Sequence, residues 1–274
     1  MPRPSRRTRL AALCGAGALL LSGCAVIGDG GGASAVAGSG EEEWQSYNLV
    51  EPGVLTVCSD TPYAPFEFEQ DGKLTGYDVE LARAVAEKLN LETTFVDSSF
   101  EAIESGASLT GCDLNASGIS ITSQRERVMA FTSPVLNDDL VLMAAKDSGI
   151  TSAADAGNRP VGVQAATTGA RFAQEQGLNV VQYEDGGMQV QAVRAGNTDA
   201  VLGNQSVLGY GLRGDDRFHV VEEYSTGEQL AWAVAEDDAL LLSAIDRALN
   251  ELRVDGTMAA LQEEWFGSAQ EDYQ

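Results

Sequence analysis

The apolar positions of this chain switch repeatedly between short continuous runs and helical spacing. Leu55–Cys58 is a run of strand type, followed by an aromatic, Pro-containing loop over Asp60–Phe68 and a turn signal at Asp71-Gly72. Asp78–Asn90 then carries Val79, Ala82, Val85, Ala86 and Leu89 on one helical face, with Asp78 as its cap. Leu91–Val96 predicts a strand, Phe100–Ser105 a short helix and Cys112–Ser117 a buried strand. Gly118–Ile121 reads as a loop, Thr122–Met129 as a helix that stops before Pro134, and Val135–Lys146 as one long extended stretch. Beyond it the pattern gives a helical turn at Ala153–Ala156 and strands at Pro160–Val163, Val180–Tyr183, Ala200–Gly203 and Phe218–Val221. Helices at Gly169–Gln176, Met188–Ala195 and Ser206–Leu212 alternate with those strands. Gln229–Ala235 is a second extended apolar run, before the helices Ala239–Arg253 and Gly256–Trp265. Repeated β–α units predict an α/β fold with parallel, doubly wound sheets. Ligands of such sheets sit beyond the carboxyl ends of the strands, where Asp60, Ser117 and Gln164 fall. No solenoid-length repeat is present.

The first residues have a different character. Arg3, Arg6, Arg7 and Arg9 precede Leu10–Leu21, an apolar run too short for a stable bilayer anchor. Leu21-Ser22-Gly23-Cys24 resembles the lipobox of bacterial lipoproteins. On that resemblance residues 1–23 are a lipoprotein signal peptide, and Cys24 is lipidated as the mature N-terminus. The other reading is an ordinary signal peptide cut near Ala25. Residues 24–44 are rich in Gly, Ala, Ser and Glu and predict a flexible tether, with order beginning near Tyr47. No later stretch is apolar for long enough to cross a membrane.

Removal of residues 1–23 takes four of the 17 basic residues and no acid, leaving 13 against 41 Asp and Glu. A mature net charge near −28 repels nucleic acid, which excludes that class of partner. Outside the leader and Cys24, only Cys58 and Cys112 remain. An exported protein permits a disulfide between them, and two separate buried thiols are the alternative. Two Cys and the single His219 are too few for an ordinary zinc site, so neither metal nor cofactor is expected.

Gly111–Arg127 carries the sharpest chemical signal. Thr122 reads as an N-cap, and the position that a capping box gives to Glu or Gln holds Arg125. A cation in the first turn of a helix opposes the macrodipole. An anion bound there offsets that cost, with Arg125, the Ser120 hydroxyl and free N–H groups converging on a carboxylate or phosphate. A surface Arg paired with Glu126 or another acid is the competing reading. Asp60 is either a turn residue or part of a site with Tyr63, and Phe100 either core or site wall. Phe66, Trp232 and Trp265 read as packing residues, His219 as structural, and Glu41–Glu43 and Glu236–Asp238 as solvated acids.

Gly76-Tyr77-Asp78-Val79-Glu80-Leu81 resembles the signature of the polar amino-acid family (family 3) of bacterial extracellular solute-binding proteins. The stretches Asp60–Phe68, Gly118–Arg125 and Arg253–Thr257 with Trp265-Phe266-Gly267 fit the same family in the same order. The likeness covers Leu49–Gly267. It implies the two-lobe periplasmic-binding-protein fold of type II, two sheets joined by two crossover strands. Lobe I takes 45–134 and 231–274 and lobe II takes 140–225, with hinges at 135–139 and 226–230.

The resemblance also implies a site. Arg125 matches the Arg that pairs with a ligand α-carboxylate, and Ser120 and the backbone of Ser117-Gly118 match its companions. Tyr63 and Phe100 match aromatic walls, and Asp60 matches a residue at the ligand's far end. Gln164, Thr167 and Thr168 match residues that reach the ligand on closure; the turn they form opens a helix with free N–H groups. Relatives usually place an Asp for the ligand ammonium where this chain has Asn204, after Gly203. Asp185 is a substitute for that charge, an N-substituted or amino-acid-like ligand another solution, and Gly203 makes room for a larger one.

The implied function is a lipid-anchored receptor on the extracellular face of the cytoplasmic membrane. It is expected to be a monomer that hands a small amino-acid or amino-acid-like ligand to an ABC permease. Asp60 favours side chains with N–H donors (Gln, Asn, Arg, Lys, His) over Glu and Asp. Two other classes fit the fold: an enzyme similar to cyclohexadienyl dehydratases, with Glu67 or Asp60 as acid or base, and a sensory module. No nucleophile–base pair accompanies those acids, so a non-enzymatic role is expected.

Overall fold

The computed structural model describes residues 43–267; the leader, Cys24 and most of the tether lie outside them. The chain passes through β1 (Val54–Ser59), the hairpin β2 (Phe68–Gln70) and β3 (Lys73–Thr75), α1 (Tyr77–Lys88), β4 (Glu92–Asp97) and α2 (Phe100–Glu104). It continues through β5 (Leu114–Ser120), β6 (Ala130–Phe131) and β7 (Leu136–Ala145). Then follow α3 (Ala153–Ala156), β8 (Pro160–Gln164), α4 (Thr168–Glu175), β9 (Asn179–Tyr183), α5 (Gly186–Arg194), β10 (Ala200–Asn204) and α6 (Gln205–Leu212). The 17-residue strand β11 (Phe218–Val234) and the helices α7 (Ala239–Val254) and α8 (Thr257–Phe266) complete it.

Hydrogen bonding runs through one path of strands, β4-β1-β5-β11-β7-β10-β8-β9, with the short β6 paired to β11. Each end of the path is parallel, as β–α units require: β1 with β4 and β5, and β8 with β9 and β10. In the middle β5, β11, β7 and β10 pair antiparallel. The fold is therefore mixed α/β, with two parallel halves carried by the long strands β7 and β11. Each half has its own core. Leu55, Val57, Leu81, Leu114, Trp232, Ile245 and Leu249 pack in the first. In the second, Leu142, Val161, Val163 and Leu202 fill one face, and Val141, Val190, Val201 and Leu208 the other. The carboxyl ends of β1 and β8, where Asp60 and Gln164 lie, face each other.

Four local expectations change. Gly118–Ser120 belongs to β5 and not to a loop, because Ile119 and Ser120 pair with Ala231 and Leu230 of β11. The helix expected at Thr122–Met129 is a single 3-10 turn over Arg125–Arg127. The chain must return at once as β6 against Ala233 and Val234, which leaves no length for a helix. The Thr122 hydroxyl still accepts from the Arg125 backbone N–H, at 3.2 Å. Asp78 is not a cap: Gly76 holds that position, and the buried Asp78 carboxylate instead accepts from the Trp232 indole (2.9 Å) and from Gly118 N–H (2.8 Å). Finally, the runs at Phe218–Val221 and Gln229–Ala235 are parts of one strand. The polar segment between them hid its continuity, and register shifts after Val220 and after Tyr224 absorb the irregularity.

Cys58, at the end of β1, is disulfide-bonded to Cys112, just before β5. The bridge closes a loop of 54 residues around α1, β4 and α2. Chain-entropy arguments assign such a loop about 4 kcal/mol of stabilisation, and measured values run about 2–4 kcal/mol. The C58S/C112S double variant is expected to lose stability in that range in urea unfolding; a loss below about 0.5 kcal/mol contradicts the assignment.

Candidate functional site

The Arg125 side chain is 1% exposed, at the seam between the two halves. Its Nη1 donates to the Ser120 carbonyl at 3.0 Å, and its Nη2 reaches across to the Ala166 carbonyl of the second half at 3.1 Å. Nε lies 3.5 Å from Glu104, and the guanidinium sits over the Phe100 ring, 5.2 Å from its centroid. Burial lowers its pKa, while Glu104 pulls the other way. The surface ion-pair reading is thus excluded, and so is the macrodipole argument, since no helix starts here. What holds the cation in place is Phe100, Glu104 and two carbonyls.

Asp60 follows β1 and is 5% exposed; it accepts from Gln164 Nε2 at 2.7 Å, again across the seam. Burial, then the charge of Asp185, raise its pKa to about 7, against the hydrogen bond from Gln164. Beneath it the Asp60 N–H donates to the Ser117 hydroxyl at 3.2 Å, and that hydroxyl donates to Glu67. Glu67 is fully buried, and burial with the nearby Asp78 holds its pKa well above the usual carboxylate range. Tyr63 stacks on Phe66 at 5.5 Å, and Phe66 is core as expected. Gly186, opening α5, lies so close that a β-carbon there would sit 2.9 Å from the Tyr63 ring. Gly118 has φ +53, and a β-carbon on it would meet Tyr63 at 3.0 Å, so only glycine fits between that ring and β5.

The two threonines separate in role. Thr167 caps α4 by accepting from Ala170 N–H and donates to the Gln164 carbonyl. Thr168 donates to Glu228 Oε2 at 2.9 Å, and Ser120 donates to the same oxygen at 2.6 Å. Asn204 ends β10 and is 7% exposed; its Nδ2 is buried with no hydrogen-bond partner. Asp185 caps α5 through Met188 N–H at 2.7 Å. The fold therefore gathers Asp60, Tyr63, Phe100, Ser120, Arg125, Gln164 and Thr168 along one seam. Ser117, Gly118 and Thr167 support it from behind.

Glu228, Asp138, Glu104 and Ala166 were missed in the sequence, and Glu67 was weighed there only as the acid or base of an enzyme. Asp138 left a visible signal, an acid inside the extended run Val135–Lys146; Glu228, in the polar segment before Leu230, left none. Asp138 on β7 pairs with Glu228 on β11 and accepts from the backbone and hydroxyl of Ser206. Burial first, with Glu228 and Asp139 adding, raises Asp138 to about pH 7 against those hydrogen bonds. A cavity of about 780 Å³ lies beside these strands, lined by Asp138, Ser206, Tyr210, Glu228, Trp265 and Phe266 among others. None of the ligand-site residues expected from the sequence lines it, yet Glu228 borders both it and the seam.

Comparison with known proteins gives a consistent result. The model of the bacterial extracellular solute-binding proteins, family 3, matches residues 55–268. The L-cystine-binding protein TcyJ of Escherichia coli is 28% identical over 224 residues, 80% of this chain and 84% of that protein. The histidine-binding periplasmic protein of Salmonella typhimurium is 30% identical over 230 residues, 78% of this chain and 88% of that one. Among solved structures, a P235GK mutant of ArgBP from T. maritima superposes with a TM-score of 0.74 and 29% identity, over 79% of this chain and 96% of that one.

The acids at the seam make a pH prediction. Asp60 and Asp138 keep their protons up to about pH 7 when folded and lose them near pH 4 when unfolded. Between those values the folded state binds more protons, so stability falls as pH rises from about 4 to about 7 and levels off above. Asn at position 60 or 138 removes one titration each, so D60N and D138N should each show a flatter fall in Tm over that interval. An unchanged slope in both contradicts the assignment.

Proposed function

Because this chain belongs to the bacterial extracellular solute-binding proteins, family 3, we propose that it captures a polar or cationic amino acid, or a close analogue, between two lobes. The observation that carries the reading is Arg125. A buried guanidinium that hydrogen-bonds a carbonyl from each half stands where a small carboxylate can pair with it bidentately and hold both halves together. Asp60 and Gln164 meet the far end of the ligand, and Tyr63 and Phe100 flank its stem. Relatives described as binding cystine, histidine and arginine support an amine-bearing ligand. Asp60 favours side chains with N–H donors; once ionised, above about pH 7, it repels L-glutamate and L-aspartate.

The proposed hinges lie in 135–139 and 226–230, between a lobe I of 45–134 and 231–274 and a lobe II of 140–225. Two connecting strands restrict the motion to opening and closing. In this reading Cys24 carries a lipid anchor that keeps the receptor at the outer face of the membrane, and the closed form is what an ABC permease recognises. No bond is made or broken. Turnover of prephenate or arogenate would replace this reading with dehydration chemistry.

A thermal-shift panel of L-arginine, L-lysine, L-histidine, L-glutamine, L-asparagine, L-cystine, L-glutamate and L-aspartate tests it. At least one of the first six should raise Tm with concentration, and the two acidic amino acids should not. R125A should weaken the best of them by more than about tenfold with its fold intact, as loss of a charged hydrogen bond requires. An affinity within about threefold of wild type contradicts the carboxylate role.

A further inference from the structure

We infer that Glu228 is a specificity-determining residue, the carboxylate that receives the ligand's ammonium and supplies the charge that Asn204 does not. The inference rests on the function proposed above and deepens it.

A serine or threonine hydroxyl has one proton to donate. Ser120 and Thr168 both give theirs to Glu228 Oε2, at 2.6 and 2.9 Å, one from each half of the fold. What the two hydroxyls then offer a ligand is lone pairs. A carboxylate flanked by two acceptor oxygens fits an ammonium, with its three donors, and repels a second carboxylate. Ser120 and Thr168 therefore change role: they serve the ligand's cation and not its anion.

The spacing fits an α-amino acid. Ser120 touches both charges, its carbonyl taking Arg125 Nη1 at 3.0 Å and its hydroxyl reaching Glu228. An anion subsite and a cation subsite separated by one residue match a ligand whose carboxylate and ammonium share one carbon. The other acids are engaged elsewhere. Asp185 caps α5 through Met188 N–H and lies by Asp60, at the opposite end. Asp138 is taken up by Ser206. Asn204 is a neutral amide whose buried Nδ2 is an unpartnered donor, so it brings no charge to an ammonium.

Three matched pairs test this: L-arginine with 5-guanidinopentanoate, L-histidine with 3-(imidazol-4-yl)propanoate, and L-glutamine with 4-carbamoylbutanoate. Each pair differs only in the α-ammonium. Titration calorimetry on the pair whose amino acid binds wild type most tightly is repeated with E228Q, which keeps an oxygen acceptor for Ser120 and Thr168. The amino acid should bind E228Q about 10- to 100-fold more weakly, the loss of a charged hydrogen bond, and its desamino partner within threefold of wild type. N204D placed in E228Q should recover most of the loss, which a merely structural role would not do. Amino-acid binding to E228Q within threefold of wild type, or tighter, overturns the inference and leaves the proposed function standing; tighter binding identifies Glu228 as a rival of the ligand carboxylate. Should L-lysine, L-asparagine or L-cystine bind most tightly, its desamino partner is 6-aminohexanoate, 3-carbamoylpropanoate or 3,3′-dithiodipropanoate; a wild type that binds none of the six amino acids overturns both.

Discussion

A guanidinium that has lost nearly all contact with solvent must be surrounded by something that replaces water, and the seam of this fold is built around that demand. Arg125 is 1% exposed. An isolated charge in such a place is costly, and breaking a buried pair typically costs several kcal/mol. Here the substitutes are the Phe100 face, Glu104 and two carbonyls, and one of those carbonyls, Ala166, belongs to the other half. The second half thus completes the solvation of a cation carried by the first. That arrangement makes contact between the halves depend on a charge, and a small anion is the natural competitor for its N–H groups.

Around this one buried cation the sequence places acids. Asp60, Glu67, Asp138 and Glu228 all act on Tyr63, whose hydroxyl is pushed upward by burial and by the four carboxylates together. Burial holds the Glu67 pKa well above the usual carboxylate range, and Asp60 and Asp138 hold their protons to about pH 7. The seam is thus less anionic near neutral pH than its composition suggests. On the proposed reading it favours amines and guanidines over acids through local geometry and not through the chain's overall negative charge.

Much of this was legible in the sequence, for identifiable reasons. Helical spacing over Asp78–Asn90 and Ala239–Arg253, and alternation of β and α units, depend only on near neighbours, and those elements stand within a few residues of expectation. Asp60 and Gln164 were singled out because the ends of parallel strands converge, a rule of topology, and the two side chains do meet. Arg125 was found because it broke a local rule, though the rule invoked was the wrong one: its turn is too short for a macrodipole. Glu228 was not found. It lies 108 residues from Ser120 and 60 from Thr168, and only the pairing of β11 with β5 and β7 brings the three together. The role of Asp78 was misread for the same reason, since its partner Trp232 is 154 residues away. Local chemistry announces itself in a sequence; hydrogen bonds across a sheet do not.

A crystal structure with L-arginine, or with whichever amino acid binds most tightly, tests the central claim most directly. The account requires the ligand carboxylate within about 3 Å of the Arg125 guanidinium, at the seam, with Ala166 displaced from or sharing those N–H groups. A ligand lodged elsewhere, with Arg125 still bonded only to Ser120, Ala166 and Glu104, contradicts it.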